Sequence, residues 1–270
     1  MEAKATTNAI TDKMLWEKDG AIGWMTFNQP ERHNAVSYEM WQAIPDILNE
    51  FEQDNEIRVV VLKGAGERAF ISGADISQFE KNRSSEESTA IYNAATEKAT
   101  KTLEVFPKPT IAMINGYCIG GGCSVAISCD LRIAADFSTF GVPAAKLGLG
   151  YGYGGVKKLI DLVGPSHTKE IFYTARQFSA EEAQLMGLVN RVVPKEQLES
   201  YVREYAGTIG GNAPMTISTL KATVAEAMKD ADKRDLEKIS KMITACFASE
   251  DYKEGRAAFM EKRKPNFQNR

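Results

Sequence analysis

Asn115-Gly116-Tyr117-Cys118-Ile119-Gly120-Gly121-Gly122-Cys123-Ser124-Val125-Ala126-Ile127-Ser128-Cys129-Asp130 is the stretch whose conformation decides the fold. Before it lies Thr110-Ile111-Ala112-Met113-Ile114, an apolar run entered through Pro107 and Pro109, which has the pattern of a short buried strand. The small apolar residues after the glycine triplet suit a helix. A strand that turns through glycines into a helix aims unpaired backbone N–H groups beyond the turn, and the missing Cβ lets a ligand come close to them. Taken alone, a glycine triplet serves a tight packing turn equally well.

A second glycine turn adds weight. Arg58-Val59-Val60-Val61-Leu62-Lys63-Gly64 has the pattern of a buried strand, and Glu67-Arg68-Ala69-Phe70-Ile71-Ser72-Gly73-Ala74-Asp75 follows it. Two such turns can converge two backbone N–H groups on one oxygen. That arrangement is an oxyanion hole, which stabilises negative charge as it develops on a carbonyl.

Phe70-Ile71-Ser72-Gly73-Ala74-Asp75, taken with Asn115-Gly116-Tyr117 through Cys129-Asp130, resembles the glycine motifs of the crotonase (enoyl-CoA hydratase/isomerase) superfamily, and the similarity runs from Trp16 to Phe267. The resemblance implies an α/β fold, a crotonase-like spiral of ββα units with a helical C-terminal region. It implies that the N–H groups of Ala74 and Gly121 hold the thioester oxygen of an acyl-CoA; CoA then arrives with the substrate, and no further cofactor is needed. By the same resemblance CoA lies along Arg32, His33, Ala35, Ala69, Ser72 and Ala74, although a solvated loop histidine explains His33 as well. The segment from Asp251 to Phe267 resembles the family's terminal segment, in which the residues matching Phe259 and Lys262 contact CoA, often across a subunit boundary. A lysine suits a phosphate as a mobile point charge; a solvated basic helix end is the alternative. Family tails pack in trimers, often stacked as hexamers, so a homotrimer or hexamer is expected.

Composition sets the limits. With 33 Lys and Arg against 36 Asp and Glu, the net charge of −3 makes no case for a nucleic-acid or anionic-membrane surface. No apolar run reaches the ~18 residues that span a bilayer, and Met1 to Asp12 is polar and mixed in charge, unlike a secretion signal. A cytoplasmic location is the expectation. Cys118, Cys123, Cys129 and Cys246 match no zinc spacing, so reduced thiols beside a small-residue core are expected rather than a metal site.

Residues 1–12 are expected to be disordered, 13–195 to form the spiral core, and 196–270 to form a helical region for oligomerisation and CoA contact. Lys18-Asp19-Gly20 marks a β-hairpin. Ser37 opens a helix to Asp54 with Met40, Trp41, Ile44, Ile47, Leu48 and Phe51 on one stripe, kinked or broken at Pro45. Ser84 to Ser88 has the composition of a mobile loop. Gly164-Pro165 separates two helices, Ser179-Ala180-Glu181-Glu182 is a capping box, and no internal repeat is visible.

Hydration of an enoyl-CoA needs a carboxylate pair to position water and move its proton. The resemblance places those glutamates at Ser124 and at Ala144 of Phe140-Gly141-Val142-Pro143-Ala144, and both are missing. Chemistry that forms a thioester enolate without abstracting a proton stays open; decarboxylation of a malonyl-type CoA is of that kind. Leu147-Gly148-Leu149-Gly150-Tyr151 resembles the segment carrying an active-site tyrosine in the family's methylmalonyl-CoA decarboxylases, which keep a glutamate where Ser124 stands. A packed aromatic also explains Tyr151. Two alternatives remain: hydration or isomerisation by other residues, and acyl-CoA binding without catalysis. Ser124 as nucleophile has no histidine placed by sequence to activate it. Asp75, Asp130 and Asp136 fit turn and strand-end hydrogen bonding.

Overall fold

The computed structural model describes residues 8–75, 77 and 85–270. Its longer strands are the apolar runs bounded by turn residues: β2 (Met14–Asp19), β3 (Ile22–Phe27), β4 (Val59–Gly64), β6 (Thr110–Ile114) and β8 (Leu131–Ala135). With β1 (Asn8–Thr11) and β11 (Arg191–Val193) they form, among the described residues, a seven-stranded sheet in the order β1-β2-β3-β4-β6-β8-β11. The β2–β3 hairpin is antiparallel, and the strands from β3 to β11 run parallel. A parallel sheet needs cover on both faces. Helix α1 (Tyr38–Gln53) belongs to the apolar cluster on one face with Phe27, Val60 and Leu62, whereas Trp24, Val59, Val61 and Ile111 cluster on the other.

A smaller sheet runs β10-β9-β7-β5, from Phe178–Ser179, Thr139–Gly141, Tyr117–Ile119 and Ala69–Ile71. The chain passes from a strand of the large sheet to one of the small sheet and then into a helix. It does so in β4, β5 and α2 (Glu86–Val105), in β6, β7 and α3 (Gly121–Ser128), and in β8, β9 and α4 (Tyr153–Thr174). Each strand lies parallel beside its counterpart in the previous turn. This is the expected spiral of ββα units, a repeat of position that the residues themselves do not repeat. Winding is tight where the chain changes sheets: at Gly116 φ is +85°, and a Cβ would stand 2.1 Å from the Arg68 carbonyl oxygen.

Several expectations need correction. Asn8–Thr11, placed in a disordered N-terminus, pairs antiparallel with β2. Thr11 Oγ1 accepts from Lys13 N at 3.0 Å in the connecting turn, and Lys13 is ion-paired to Glu39 of α1; residues 1–7 lie outside the described residues. Pro45 does not break α1. An interior proline costs about 3 kcal/mol, but each large side chain on a buried stripe of Met40, Trp41, Ile44, Ile47, Leu48 and Phe51 returns ~1.5–3 kcal/mol. Ser85 to Ser88 is not a mobile loop: Ser85 Oγ accepts from Ser88 N at 3.1 Å and caps α2, with Glu86 and Glu87 at the positive end of the helix dipole. Ser84 lies outside the described residues.

Helices α5 (Ala180–Leu185) and α6 (Leu198–Gly210) follow, and the capping box holds: Glu182 N donates to Ser179 Oγ at 3.1 Å, and Ser179 N to Glu182 Oε2 at 2.8 Å. Leu198, Val202 and Ala206 pack with Trp24 and Val61, so the core extends through α6 and beyond the expected boundary at residue 195. Helices α7 (Pro214–Ala227), α8 (Leu236–Ala248) and α9 (Glu250–Glu261) complete the chain. The buried Asp251 carboxylate accepts from Gln268 N at 2.6 Å and Asn269 N at 2.9 Å, fastening the final segment against α9. No helix among the described residues is long and apolar enough to cross a membrane.

Candidate active site

The turn after β5 and the turn after β7 face each other. A Cβ built on Gly121 would stand 3.5 Å from Ala74 N and 3.4 Å from Trp41 Cζ2. Val36 bridges the Gly73–Asp75 segment from the opposite side: Val36 N donates to Gly73 O at 2.8 Å, and Asp75 N to Val36 O at 2.9 Å. Backbone groups alternate along an extended segment, so the Ala74 N–H points away from Val36. Gly121, the first residue of α3, has no intrahelical acceptor for its N–H. Among the described residues neither amide has an acceptor. Gly122 sets the spacing, since a Cβ there would lie 2.3 Å from Ile71 O. Two free amides from neighbouring turns can grip one carbonyl oxygen.

One helical turn on, Ser124 Oγ lies 3.3 Å from Tyr151 Oη and 3.4 Å from Gly120 O. The Tyr151 ring packs edge-on against Phe172 with centroids 5.0 Å apart. Trp41 is fixed beside Gly121 by its Nε1–H, which donates to Tyr92 Oη at 3.0 Å. Ala144 is buried in the core, with its carbonyl accepting from Leu149 N. Neither histidine is hydrogen-bonded to Ser124: His33 stacks on Tyr117 at 5.8 Å, and His167 faces Glu170 at 3.5 Å.

The loop of Arg32, His33 and Ala35 is tied to the first glycine turn. Ser72 N donates to His33 O at 3.1 Å, and Ser72 Oγ to Arg32 O at 3.3 Å. Arg32 Nη1 pairs with Asp75 at 3.1 Å and donates to Ser77 Oγ at 2.7 Å. Arg32, His33, Ala35, Ser72 and Ala74 therefore belong to one neighbourhood. Ala69 does not offer a side-chain contact: it is 1% exposed, and its carbonyl is held by Asn34 Nδ2 at 2.8 Å. Phe259 and Lys262 stand apart within one chain, with Phe259 83% exposed and no hydrogen bond, ion pair or ring contact joining either to this neighbourhood among the described residues. A cavity of about 690 Å³ at the carboxyl ends of β4 and β6, lined by Lys63, Asn115 and Lys195, contains none of these groups.

Sequence reasoning missed Arg132. Its Nε donates to Leu188 O at 2.7 Å and its Nη1 to Cys129 O at 2.9 Å, which puts a buried cation at the carboxyl end of α3. Burial lowers its pKa, against upward pulls from Cys129 and Asp130. A lone charge inside an apolar strand was the signal. Asp130 accepts from Thr110 N and Lys221 Nζ, both at 2.7 Å, a structural role as expected. The cysteines are free; Cys123 Sγ donates to Cys118 O at 2.8 Å, and burial pushes the Cys129 thiol up to about 12.

The enoyl-CoA hydratase/isomerase family model matches residues 17–270. A short-chain-enoyl-CoA hydratase of Clostridium acetobutylicum is 36% identical over 260 residues, spanning 96% of this chain and 99% of that protein. A crotonyl-CoA hydratase of Syntrophomonas wolfei is 36% identical over 256 residues, spanning 95% and 98%. Among solved structures, an enoyl-CoA hydratase/carnithine racemase from Magnetospirillum magneticum is similar with a TM-score of 0.91 at 33% identity, covering 98% of this chain and 97% of that one.

Proposed function

The chain belongs to the enoyl-CoA hydratase/isomerase family, and from that premise we propose that it decarboxylates a malonyl-type CoA, with the thioester oxygen held between the amides of Ala74 and Gly121. The bond between the α-carbon and its carboxylate breaks, carbon dioxide leaves, and the electron pair passes to the thioester oxygen as an enolate. The enolate needs only a proton at the α-carbon, donated by the Tyr151 hydroxyl with Ser124 orienting it. The observation that carries this reading is the 3.3 Å approach of Tyr151 Oη to Ser124 Oγ, one turn of α3 from Gly121. Ser124 Oγ has no carboxylate partner among the described residues. A carboxylate about 4 Å from the departing one would oppose binding by roughly 4 kcal/mol at an effective dielectric of about 20.

Incubation with malonyl-CoA and methylmalonyl-CoA, followed by product mass, tests the assignment. Loss of one carbon dioxide is expected, and a rate unchanged in Tyr151→Phe removes Tyr151 as proton donor. A second reading is supported by the two bacterial hydratases at 36% identity: addition of water to a short enoyl-CoA, with Ser124 and Tyr151 holding the water. It predicts a mass gain of one water from crotonyl-CoA. Binding of all three thioesters without turnover would instead mark a non-catalytic acyl-CoA carrier.

In this reading the only cofactor-like group is the CoA of the substrate, and Phe259 and Lys262 reach it from a neighbouring subunit of a homotrimer or hexamer. The exposure of Leu236, Phe247 and Phe259 in the single chain supports that assembly. Light scattering should give a multiple of three chains.

A further inference from the structure

The face of α3 that begins at Gly121 continues through Ser124 to Ser128, three and seven positions on. The segment from Tyr151 to Lys158 touches this face twice. Tyr151 Oη meets Ser124 Oγ, and Lys158 Nζ donates to Ser128 Oγ at 3.2 Å. Lys158 also stands 3.2 Å from Glu104 Oε2, which in turn is 3.3 Å from Lys101 Nζ. Burial pushes the Glu104 carboxyl up, but Lys158 and Lys101 outweigh it and hold it below its ordinary value. Two ammonium groups thus share one carboxylate, which leaves one positive charge in excess. Asp161, the nearest acid on α4, is taken by Lys157. The Lys158 side chain keeps 23% of its surface exposed.

We propose that Lys158 reads the far end of the acyl group, and that the preferred substrates are CoA thioesters of dicarboxylic acids whose distal carboxylate pairs with it. The proposal rests on the thioester oxygen lying at Ala74 and Gly121. It holds whether the α-carbon then loses a carboxylate or an enoyl bond takes up water. In the decarboxylation the distal group would be a second carboxylate, distinct from the one lost at the α-carbon; in the hydration it would end the enoyl chain. The helix supplies the ruler. From Gly121 to Ser128 the axis rises roughly 10 Å at 1.5 Å per residue. The diacid makes a contact at each end, to the two amides and to the ammonium. An extended diacid of about five carbons, at roughly 1.25 Å per bond plus its two terminal oxygens, spans about 7–8 Å, on the scale of that rise.

The test is titration of the wild-type protein with butyryl-CoA and with succinyl-, glutaryl-, adipyl- and suberyl-CoA. Glutaryl-CoA should bind about three- to fivefold more tightly than butyryl-CoA, the worth of one partly exposed charge pair, and affinity should fall on either side of that length. Lys158→Met should bring the glutaryl/butyryl ratio to near one. Lys158→Arg should keep most of the preference, and Lys157→Met should leave the ratio unchanged. A flat series in the wild type overturns the proposal without any variant having to fold; so does a preference that survives in Lys158→Met. If no thioester binds at all, the acyl-CoA reading falls first and takes this one with it.

Discussion

Gly121 and Gly122 are neighbours in sequence, yet alanine at the two positions should produce opposite failures. At Gly121 the added methyl would sit 3.5 Å from Ala74 N and 3.4 Å from Trp41 Cζ2, in ordinary contact. Alanine is favoured over glycine in a helix by up to ~1 kcal/mol in its interior, less in the first turn, so stability should change by no more than about 0.5 kcal/mol. A thioester oxygen bonded to both amides needs to lie about 2.9 Å from each nitrogen. The methyl fills part of that space, and losing one such donor costs roughly 10²- to 10³-fold in turnover. At Gly122 the methyl would fall 2.3 Å from Ile71 O and 3.0 Å from Ile71 Cβ. Backbone must move there, so Gly122→Ala should cost about 1–3 kcal/mol or more of stability. Urea unfolding and steady-state turnover on the same preparations separate the two outcomes. A stable Gly121→Ala protein with full turnover would refute the placement of the thioester oxygen; a Gly122→Ala protein as stable as wild type would refute the packing of α3 on β5.

Other consequences are open to measurement. Arg132→Leu leaves the Leu188 and Cys129 carbonyls without their donor and should cost about 2–3 kcal/mol in urea unfolding; a loss below about 0.5 kcal/mol would show that they find other partners. The Cys129 thiol, pushed by burial from 9.0 to about 12, keeps its proton in the folded state after the unfolded chain has lost it. Its stabilising contribution is therefore complete below pH 9 and declines as pH rises towards 12, by at most about 1.4 kcal/mol per pH unit. The wild type should lose stability faster than Cys129→Ala over that window, and parallel curves would contradict it. Asp251→Ala removes the acceptor for Gln268 N and Asn269 N and should speed carboxypeptidase trimming of the last residues with a stability loss of about 1–3 kcal/mol.

Much of this architecture was legible because buried parallel strands leave a strong mark. Arg58 to Gly64 and Thr110 to Ile114 are apolar runs closed by glycine or proline, and both became adjacent strands of the large sheet. The two glycine turns were visible because close backbone contact tolerates few other residues. The small sheet was not visible. Tyr117–Ile119, Thr139–Gly141 and Phe178–Ser179 have two or three residues each, too few for any period to show, and they exist because the preceding turn of the spiral offers an edge. Local propensity misled at Pro45 and at Ser85–Ser88, where a buried stripe and a serine cap prevailed. The pairing of Ser124 with Tyr151 joins residues 27 positions apart, and the link from Lys158 to Ser128 joins helices that no periodicity connects.

The spiral also divides labour by layer. Its first turn delivers the Ala74 amide, its second the Gly121 amide, and its third the tyrosine at 151. In the proposed reading, the grip on the thioester and the proton donor are encoded on separate lengths of chain that meet only when three windings register. On that reading, a change confined to the third winding would alter the proton donor while the amides of Ala74 and Gly121 stay in place.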